Sequence, residues 1–153
     1  PIFDMLWQSG LPIRQISVMI QKEVADKLMA QPSSESYGLT SVRCQYYCIP
    51  SLEEVIPAEL FTPPPKVDSA FIHMVMRQEP PMEVKDEKLF FRLLKAAFSL
   101  RRKTLLNALK GAADAQIVKE AMSASGLLPT ARAEELDVKQ WIQFSNKVKE
   151  LSH

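Results

Sequence analysis

The chain has 153 residues, a hydrophobic fraction of 46% and a net charge of +1, which predict one globular domain, or one and a fraction, with a filled core. The near-neutral charge excludes a protein that binds nucleic acid through a uniform basic field. No apolar run approaches the roughly 18 residues of a membrane span, and no charged-then-apolar leader is apparent, so we expect a cytoplasmic protein.

The first half of the chain mixes helical and strand patterns. The short apolar run Ile16–Ile20 is typical of a strand buried on both faces. In the last strand, apolar residues recur at every second position, and its single histidine, His73, is interpreted as structural. The predicted helices are 1–10, 21–30 and 37–47, and the predicted strands are 16–20, 49–56 and 67–76.

Two cysteines, Cys44 and Cys48, lie four residues apart and far from either histidine. This arrangement lacks the spacing of a zinc site. Free cysteines on one helical face are usually small buried apolar groups. We therefore predict core packing for both thiols and no metal site.

After Pro80–Pro81 the sequence indicates helices only, at 86–100, 103–110, 115–125 and 138–151. Two of them carry apolar stripes with the spacing of one buried helical face. The sequence thus predicts an α/β part at residues 1–82 and a small helical bundle at residues 83–153. Between Asp86 and Lys110 there are seven basic and two acidic residues, so the basic charge is concentrated in the bundle.

No catalytic or cofactor-binding pattern is visible in the chain. The four glycines are isolated, so there is no glycine-rich loop to bring a backbone close to a cofactor. No spacing suggests a Ser/His/Asp or Cys/His arrangement. Taken alone, these residues describe a binding fragment and not a complete enzyme, with no catalytic and no cofactor-binding residue in this chain.

The stretch FTPPPKVDSAF, Phe61 to Phe71, places an aromatic ring before three consecutive prolines. Each proline fixes its own φ near −65° and restrains the preceding residue to extended conformations. The sequence therefore predicts a stiff loop, which is suited to holding a side chain in a fixed position.

Three segments together resemble the ribosomal RNA adenine dimethyltransferases of the small subunit, in their bacterial form. They are VMIQKEVADKL (Val18–Leu28), FTPPPKVDSA (Phe61–Ala70) and FSLRRKTLLNALK (Phe98–Lys110). The resemblance implies an enzyme that transfers methyl groups from S-adenosylmethionine to two adjacent adenines near the 3′ end of small-subunit ribosomal RNA. It implies a fold made of the C-terminal strands and helices of a Rossmann-like methyltransferase sheet, followed by a helical RNA-binding domain.

The resemblance implies that the proline loop contacts the target base. The family pattern falls on Phe61, Pro63 and Pro65, which implies that Phe61 stacks on an adenine extruded from the RNA helix. Extrusion costs a few kcal/mol, and one stacking contact can return ~1–3 kcal/mol of this cost. The alternative is that Phe61 is a core ring beside a strand.

The same resemblance assigns Arg101, Arg102 and Lys103, at the expected start of the second bundle helix, to the RNA backbone, together with Lys66 on the proline loop. Guanidinium groups make forked contacts to phosphate oxygens, and a helix N-terminus adds donors. The alternative is that the cluster is a solvated helix start, in which case RNA binding would fall to Lys66, Lys88, Arg92 or Lys95.

The family's glycine-rich cofactor loop, its ribose-binding acid and its Asn-Leu-Pro-Tyr motif are absent from these residues. We therefore expect the C-terminal half of such an enzyme, inactive alone and without a site for S-adenosylmethionine. Two alternatives stay open: a non-catalytic RNA-binding or ribosome-assembly module, and a large-subunit methyltransferase of the antibiotic-resistance type, although RRKTL favours the small-subunit enzyme. An exposed sheet edge at Ile16–Ile20 is expected to allow self-association.

Overall fold

A computed structural model describes residues 2–152, and Pro1 and His153 lie outside the described residues. The first part contains both helices and strands, and helices follow. The helices are α1 (Ile2–Gln8), α2 (Lys22–Met29), α3 (Leu39–Tyr47), α4 (Glu87–Ser99), α5 (Leu105–Ala108), α6 (Ala115–Ala124) and α7 (Val138–Leu151). The strands are β1 (Gln15–Gln21), β2 (Cys48–Ile56) and β3 (Ser69–Met76), and short 3-10 turns occupy Ala58–Leu60 and Ala133–Glu135.

The three strands form one antiparallel sheet in the order β1-β3-β2. The central strand β3 pairs regularly with β1, whereas its pairing with β2 shifts register between Leu52 and Glu54. The inward residues Ala70, Ile72 and Met74 are fully buried beneath α2 and α3, where they form the sheet core with Leu28, Cys44 and Trp7. The alternation predicted for the last strand is confirmed.

The opposite face of the sheet is open to solvent. Its apolar side chains Met19, Ile49, Phe71 and Val75 are 39–53% exposed. The prediction that Ile16–Ile20 is buried on both faces is wrong, because exposed and half-buried residues alternate along β1. Among residues 2–152, helices cover one face of the sheet only. His73 lies on the open face, where its Nδ1 is 2.8 Å from the Ser17 hydroxyl.

The four helices α4 to α7 enclose a second core, called here the bundle core. Both predicted apolar stripes point into it, and Phe90, Leu93, Leu94, Trp141 and Phe144 are fully buried. Asp86, Asp114 and Asp137 accept hydrogen bonds from backbone N–H groups in the first turns of α4, α6 and α7. No helix in the described part of the chain is long and apolar enough to cross a membrane.

Two helices begin two residues later than predicted. The third helix begins at Leu39 and not at Tyr37, because Tyr37 turns inward and Gly38 is the N-cap. The fifth begins at Leu105 and not at Lys103, because Thr104 is its N-cap and accepts from the Asn107 N–H. The cysteines are buried as predicted: the Cys44 and Cys48 sulfurs lie 3.5 Å apart, without a disulfide. Hydrogen bonding to Cys48 and burial raise the pKa of Cys44, so its reactive thiolate is disfavoured.

Tyrosines on and before α3 connect the two parts of the chain. The Tyr37 hydroxyl donates to the Leu136 carbonyl across 2.6 Å, and the Tyr46 hydroxyl donates to Glu87 across 2.7 Å. Burial and, to a smaller extent, the negative charge of Asp137 raise the pKa of Tyr37 above its usual value. Burial and the Glu87 carboxylate raise the pKa of Tyr46. Because Tyr37 and Tyr46 precede residue 83 but lie in the bundle core, the two cores meet at α3, and the division into 1–82 and 83–153 stays a prediction.

These raised pKa values predict a loss of stability at alkaline pH. A folded-state pKa above the unfolded value gives stability that is fully present below about pH 10 and is lost as the pH rises through the folded pKa. We expect Tyr37→Phe to lower the free energy of unfolding by about 1–3 kcal/mol at pH 7, because the Leu136 carbonyl loses its donor, and to reduce the slope of stability above pH 10. Urea unfolding between pH 7 and 11 measures both effects.

The matched comparison is Tyr47→Phe, because the Tyr47 ring is only half-buried and its pKa is raised less. This variant should change the alkaline slope less than Tyr37→Phe. Equal alkaline slopes for Tyr37→Phe and the unchanged protein would contradict the assignment of this titration to Tyr37.

Candidate nucleic-acid interface

Asp68, near the end of the proline loop, is bonded both to the residues that precede the loop and to the first residue of α2. Its carboxylate accepts from the Ala58 N–H across 2.9 Å, and its carbonyl accepts from the Lys22 N–H across 3.0 Å. Between these points, the 3-10 turn Ala58–Leu60 is completed by the Phe61 N–H, which donates to the Ala58 carbonyl. The Thr62–Pro63 peptide bond is cis. The hydrogen bonds of Asp68 and Phe61 thus hold the loop in place. The three prolines donate no hydrogen bonds but restrict the backbone of the loop.

The side chain of Phe61 is half-buried. Among residues 2–152 it belongs to neither core and pairs with no other aromatic ring. By contrast, the rings of Phe90 and Trp141 lie in the bundle core and pack against other aromatic rings. Its neighbour Leu60 is 71% exposed, and Pro63, Pro65 and Lys66 are all exposed. The loop therefore presents apolar side chains and one cation to solvent.

Sequence reasoning assigned no separate role to Asp68. An aspartate beside a turn commonly accepts backbone N–H groups, and this is the signal that could have identified it. Its partner Ala58 lies ten residues earlier in the chain, so the pairing itself was not readable from local sequence.

The basic cluster lies in a turn between α4 and α5, and not at a helix start as predicted. Thr104 caps α5, so the N-terminus of this helix lies beyond the cluster. Arg102 and Lys103 are exposed, and within the described residues neither forms an ion pair. The structure therefore leaves two cations of the turn available to a ligand.

Arg101 is solvent-exposed but is bonded to other parts of the chain. Its Nε donates to the Glu134 carboxylate across 3.0 Å, and its Nη2 donates to the Glu35 carbonyl across 3.3 Å. Arg101 thus connects the turn after α4 to the loop before α3. Sequence reasoning did not identify this role, because Glu35 and Glu134 are 66 and 33 residues away.

The predicted residues form two separate groups. Phe61, Pro63, Pro65 and Lys66 share the proline loop at one end of the sheet, and Arg101–Lys103 lie in the bundle. Among the described residues, no hydrogen bond or ion pair joins the two groups. A ligand that contacted both would have to span the sheet and the bundle, as an extended polymer does.

The His, Cys, Asp and Glu side chains of the described residues do not form a metal-binding group. In residues 2–152, no three His, Cys, Asp or Glu side chains come together in a way that could hold a metal ion. The carboxylate of Glu87, which lines a cavity of about 290 Å³ with Trp7 and Tyr47, is already bonded to the Tyr46 hydroxyl.

Three curated relatives are 38–40% identical to this chain over the aligned residues, and each is a ribosomal RNA small subunit methyltransferase A. The relative from Streptococcus gordonii is 40% identical over 154 residues, covering 97% of this chain and 53% of its own length. The relative from Clostridium acetobutylicum is 38% identical, with 97% and 54% covered, and that from Geobacillus thermodenitrificans is 40% identical, with 95% and 52% covered. The chain thus spans about half the length of these relatives.

Solved structures share the fold at low sequence identity. A dimethyladenosine transferase from Plasmodium falciparum superimposes with a TM-score of 0.77 at 19% identity, covering 98% of this chain and 63% of its own. The 23S rRNA methyltransferase ErmE superimposes with a TM-score of 0.72 at 20% identity, covering 97% and 59%. The three-stranded sheet with its helices is therefore a methyltransferase-like fold.

A family model described as ribosomal RNA adenine dimethylase matches residues 1–150. This match extends through the proline loop, the basic turn and both cores. The chain belongs to the ribosomal RNA adenine dimethylase family.

Proposed function

We propose that this chain is the RNA-positioning half of an S-adenosylmethionine-dependent enzyme that dimethylates two adjacent adenines near the 3′ end of small-subunit ribosomal RNA. In this proposal the sheet is the C-terminal part of a Rossmann-like methyltransferase domain, residues 83–153 are an RNA-binding domain, and the cytoplasmic location follows from the ribosomal partner. The observation that carries the proposal is the Phe61 ring, mounted on a loop closed by Asp68 and packed into neither core.

The residues present do not fit the methyl donor. No two glycines lie in one turn, and the positions that a Cβ would occupy at Gly10, Gly111 and Gly126 contact no other part of the protein. The cavity carboxylate of Glu87 is already held by Tyr46. We therefore propose that the chain alone neither binds S-adenosylmethionine nor methylates RNA.

Some of these observations also support two other functions. A non-catalytic RNA-binding or assembly module would use the same loop and the same turn. A large-subunit methyltransferase is compatible with the superposition on ErmE. The small-subunit enzyme is favoured because relatives of that name are about 40% identical.

The role of Phe61 is testable in a chimera that joins this chain to the preceding half of the Streptococcus gordonii relative. Loss of one stacking contact of ~1–3 kcal/mol predicts a drop in methylation of about 5- to 150-fold for Phe61→Ala. Affinity for small ribosomal subunits should stay nearly unchanged, because phosphate contacts supply most of it. Methyl incorporation and subunit binding are measured in parallel.

Phe61→Tyr and Phe61→Trp should keep more activity than Phe61→Ala, since either ring can stack. Leu60→Ala is the matched control, because Leu60 is adjacent and 71% exposed. The unfused chain should give no methylation in the same assay. Equal activity of Phe61→Ala and the parent chimera would indicate that Phe61 is a packing residue and does not stack on the target base.

The basic turn is testable through the salt dependence of binding. Arg102→Gln with Lys103→Gln removes two charges without touching Arg101, which has a structural role. If both residues contact phosphates, the log–log salt slope of binding to the 3′-terminal hairpin RNA should flatten by about 0.7–0.9 for each contact. Lys119→Gln, an exposed change on α6, should leave the slope unchanged, and an unchanged slope in the double variant would mean that the turn is merely solvated.

We also propose that β1 can pair with a second copy of the chain. The edge of β1 carries seven residues without a charge or a proline, whereas the edge of β2 is protected by Pro50, Glu53, Glu54 and a register shift. Flat, uncharged edges favour strand pairing between molecules.

Self-association should therefore depend on β1 and not on β2. Light scattering of the isolated chain at increasing concentration should show dimers or larger species. Met19→Lys, on β1, should suppress them, whereas Ile49→Lys, on the same open face but on β2, should suppress them less. A monomer at high concentration, or equal effects of the two substitutions, would contradict pairing at the β1 edge.

A further inference from the structure

A small cavity lies where the loop before α3 meets the last turns of α4. It has a volume of about 300 Å³ and is lined by Gly38, Leu39, Lys95, Phe98, Ser99 and Arg101. We call it the notch. It combines residues from the α/β part with residues from the bundle, and the only charged side chains that line it are cations.

The guanidinium of Arg101 is oriented toward the notch by bonds on its other side. Nε and Nη2 are occupied by Glu134 and by the Glu35 carbonyl. Nη1 faces Gly38, since the position that a Cβ would occupy on Gly38 lies 4.0 Å from it. Arginine nitrogens donate in a fixed planar fork, so fixing two of them also fixes the direction of the third.

Lys95 supplies the net positive charge of the notch. Glu134 offsets part of the charge of Arg101, but Lys95 is exposed and forms no ion pair within the described residues. Ser99 is no competing donor, because its hydroxyl already donates to the Ala96 carbonyl across 2.7 Å. The half-buried apolar side chains of Leu39 and Phe98 form the walls of the notch.

We propose that the notch binds one backbone phosphate of an RNA strand, between Lys95 and the Nη1 of Arg101. This inference rests on the RNA-binding function proposed above. A phosphodiester carries one negative charge and accepts from both a planar fork and an ammonium group. The strand that contacts Arg102 and Lys103 would then continue toward the loop before α3, so that RNA contacts both parts of the chain.

Gly38 suits a ligand-binding notch because it lacks a side chain, and not because of its backbone conformation. Its φ of −163° and ψ of −164° are extended backbone that any residue can adopt, so the backbone conformation does not demand glycine. The absence of a side chain leaves Nη1 of Arg101 accessible. Gly38→Asp would place a carboxylate near Nη1 and would also provide a favourable N-cap for α3.

Two variants test the notch in binding to the 3′-terminal hairpin RNA. Lys95→Gln should weaken binding about three- to tenfold and flatten the log–log salt slope by about 0.7–0.9, as expected for one lost phosphate contact. Gly38→Asp should weaken binding at least as much while its thermal stability is equal to or higher than that of the unchanged chain. A purely structural role of Gly38 would not produce this combination.

Lys119→Gln is the matched control, because it removes one exposed charge from α6 and should leave affinity and slope unchanged. In a second measurement, inorganic phosphate is added to the ¹⁵N-labelled chain. The amide resonances of Gly38 and Leu39 should shift, and the Leu39 shift should be lost in Gly38→Asp.

The outcomes separate the two proposals. If the chain binds the RNA and both notch variants bind with the same affinity and slope, the notch is overturned and the RNA-binding function stands. If the chain does not bind the RNA but phosphate shifts the Gly38 and Leu39 resonances, the RNA-binding function fails and an anion site remains. If neither RNA binding nor these shifts occur, both proposals fail.

Discussion

The structure depends on one helix that is packed on two sides. Val42 and Tyr46, four residues apart on α3, point into the bundle core, while Cys44, half a turn away, points into the sheet core. A helix with 3.6 residues per turn can contact two layers only if both of its faces carry apolar side chains. The position of the bundle relative to the sheet therefore depends on how α3 is packed.

Several polar contacts reinforce this junction. The Tyr37 hydroxyl reaches Leu136, and the Ser33 N–H donates to the Glu134 carbonyl across 2.7 Å. Arg101 adds a third connection through Glu134 and Glu35. Because these bonds join loops distant in sequence, they hold the turn after α4 against the α/β part. The geometry of the basic surface is thus a consequence of the junction and not of the bundle alone.

The two candidate binding regions differ in how they are held. The proline loop is stiff because of its own residues and needs only Asp68 to close it. The notch and the basic turn depend on partners from both parts of the chain. A substitution in the bundle core is therefore expected to disturb the basic surface before it disturbs the loop, because large-to-small core changes shift the surrounding packing.

Much of the fold was readable from local pattern. The stripes of α4 and α7 and the alternation of β3 specify which faces are buried, because burial of apolar area is the dominant favourable term. The sequence by itself also predicts a stiff proline loop, since each proline restricts its backbone without help from its neighbours. The motifs quoted above identified the family, and the family match bears this out.

Other features were decided by tertiary structure alone. Whether β1 is covered on one face or two depends on how many layers pack against it, which its apolar run does not encode. The start of α5 was misjudged because Thr104, and not the basic cluster, supplies the cap. The notch was not visible as a unit, because Gly38 and Arg101 come from different parts of the chain and face each other only across the junction. Local sequence specifies backbone preference and the face to be buried, whereas contacts between distant residues exist only after both cores have packed on α3.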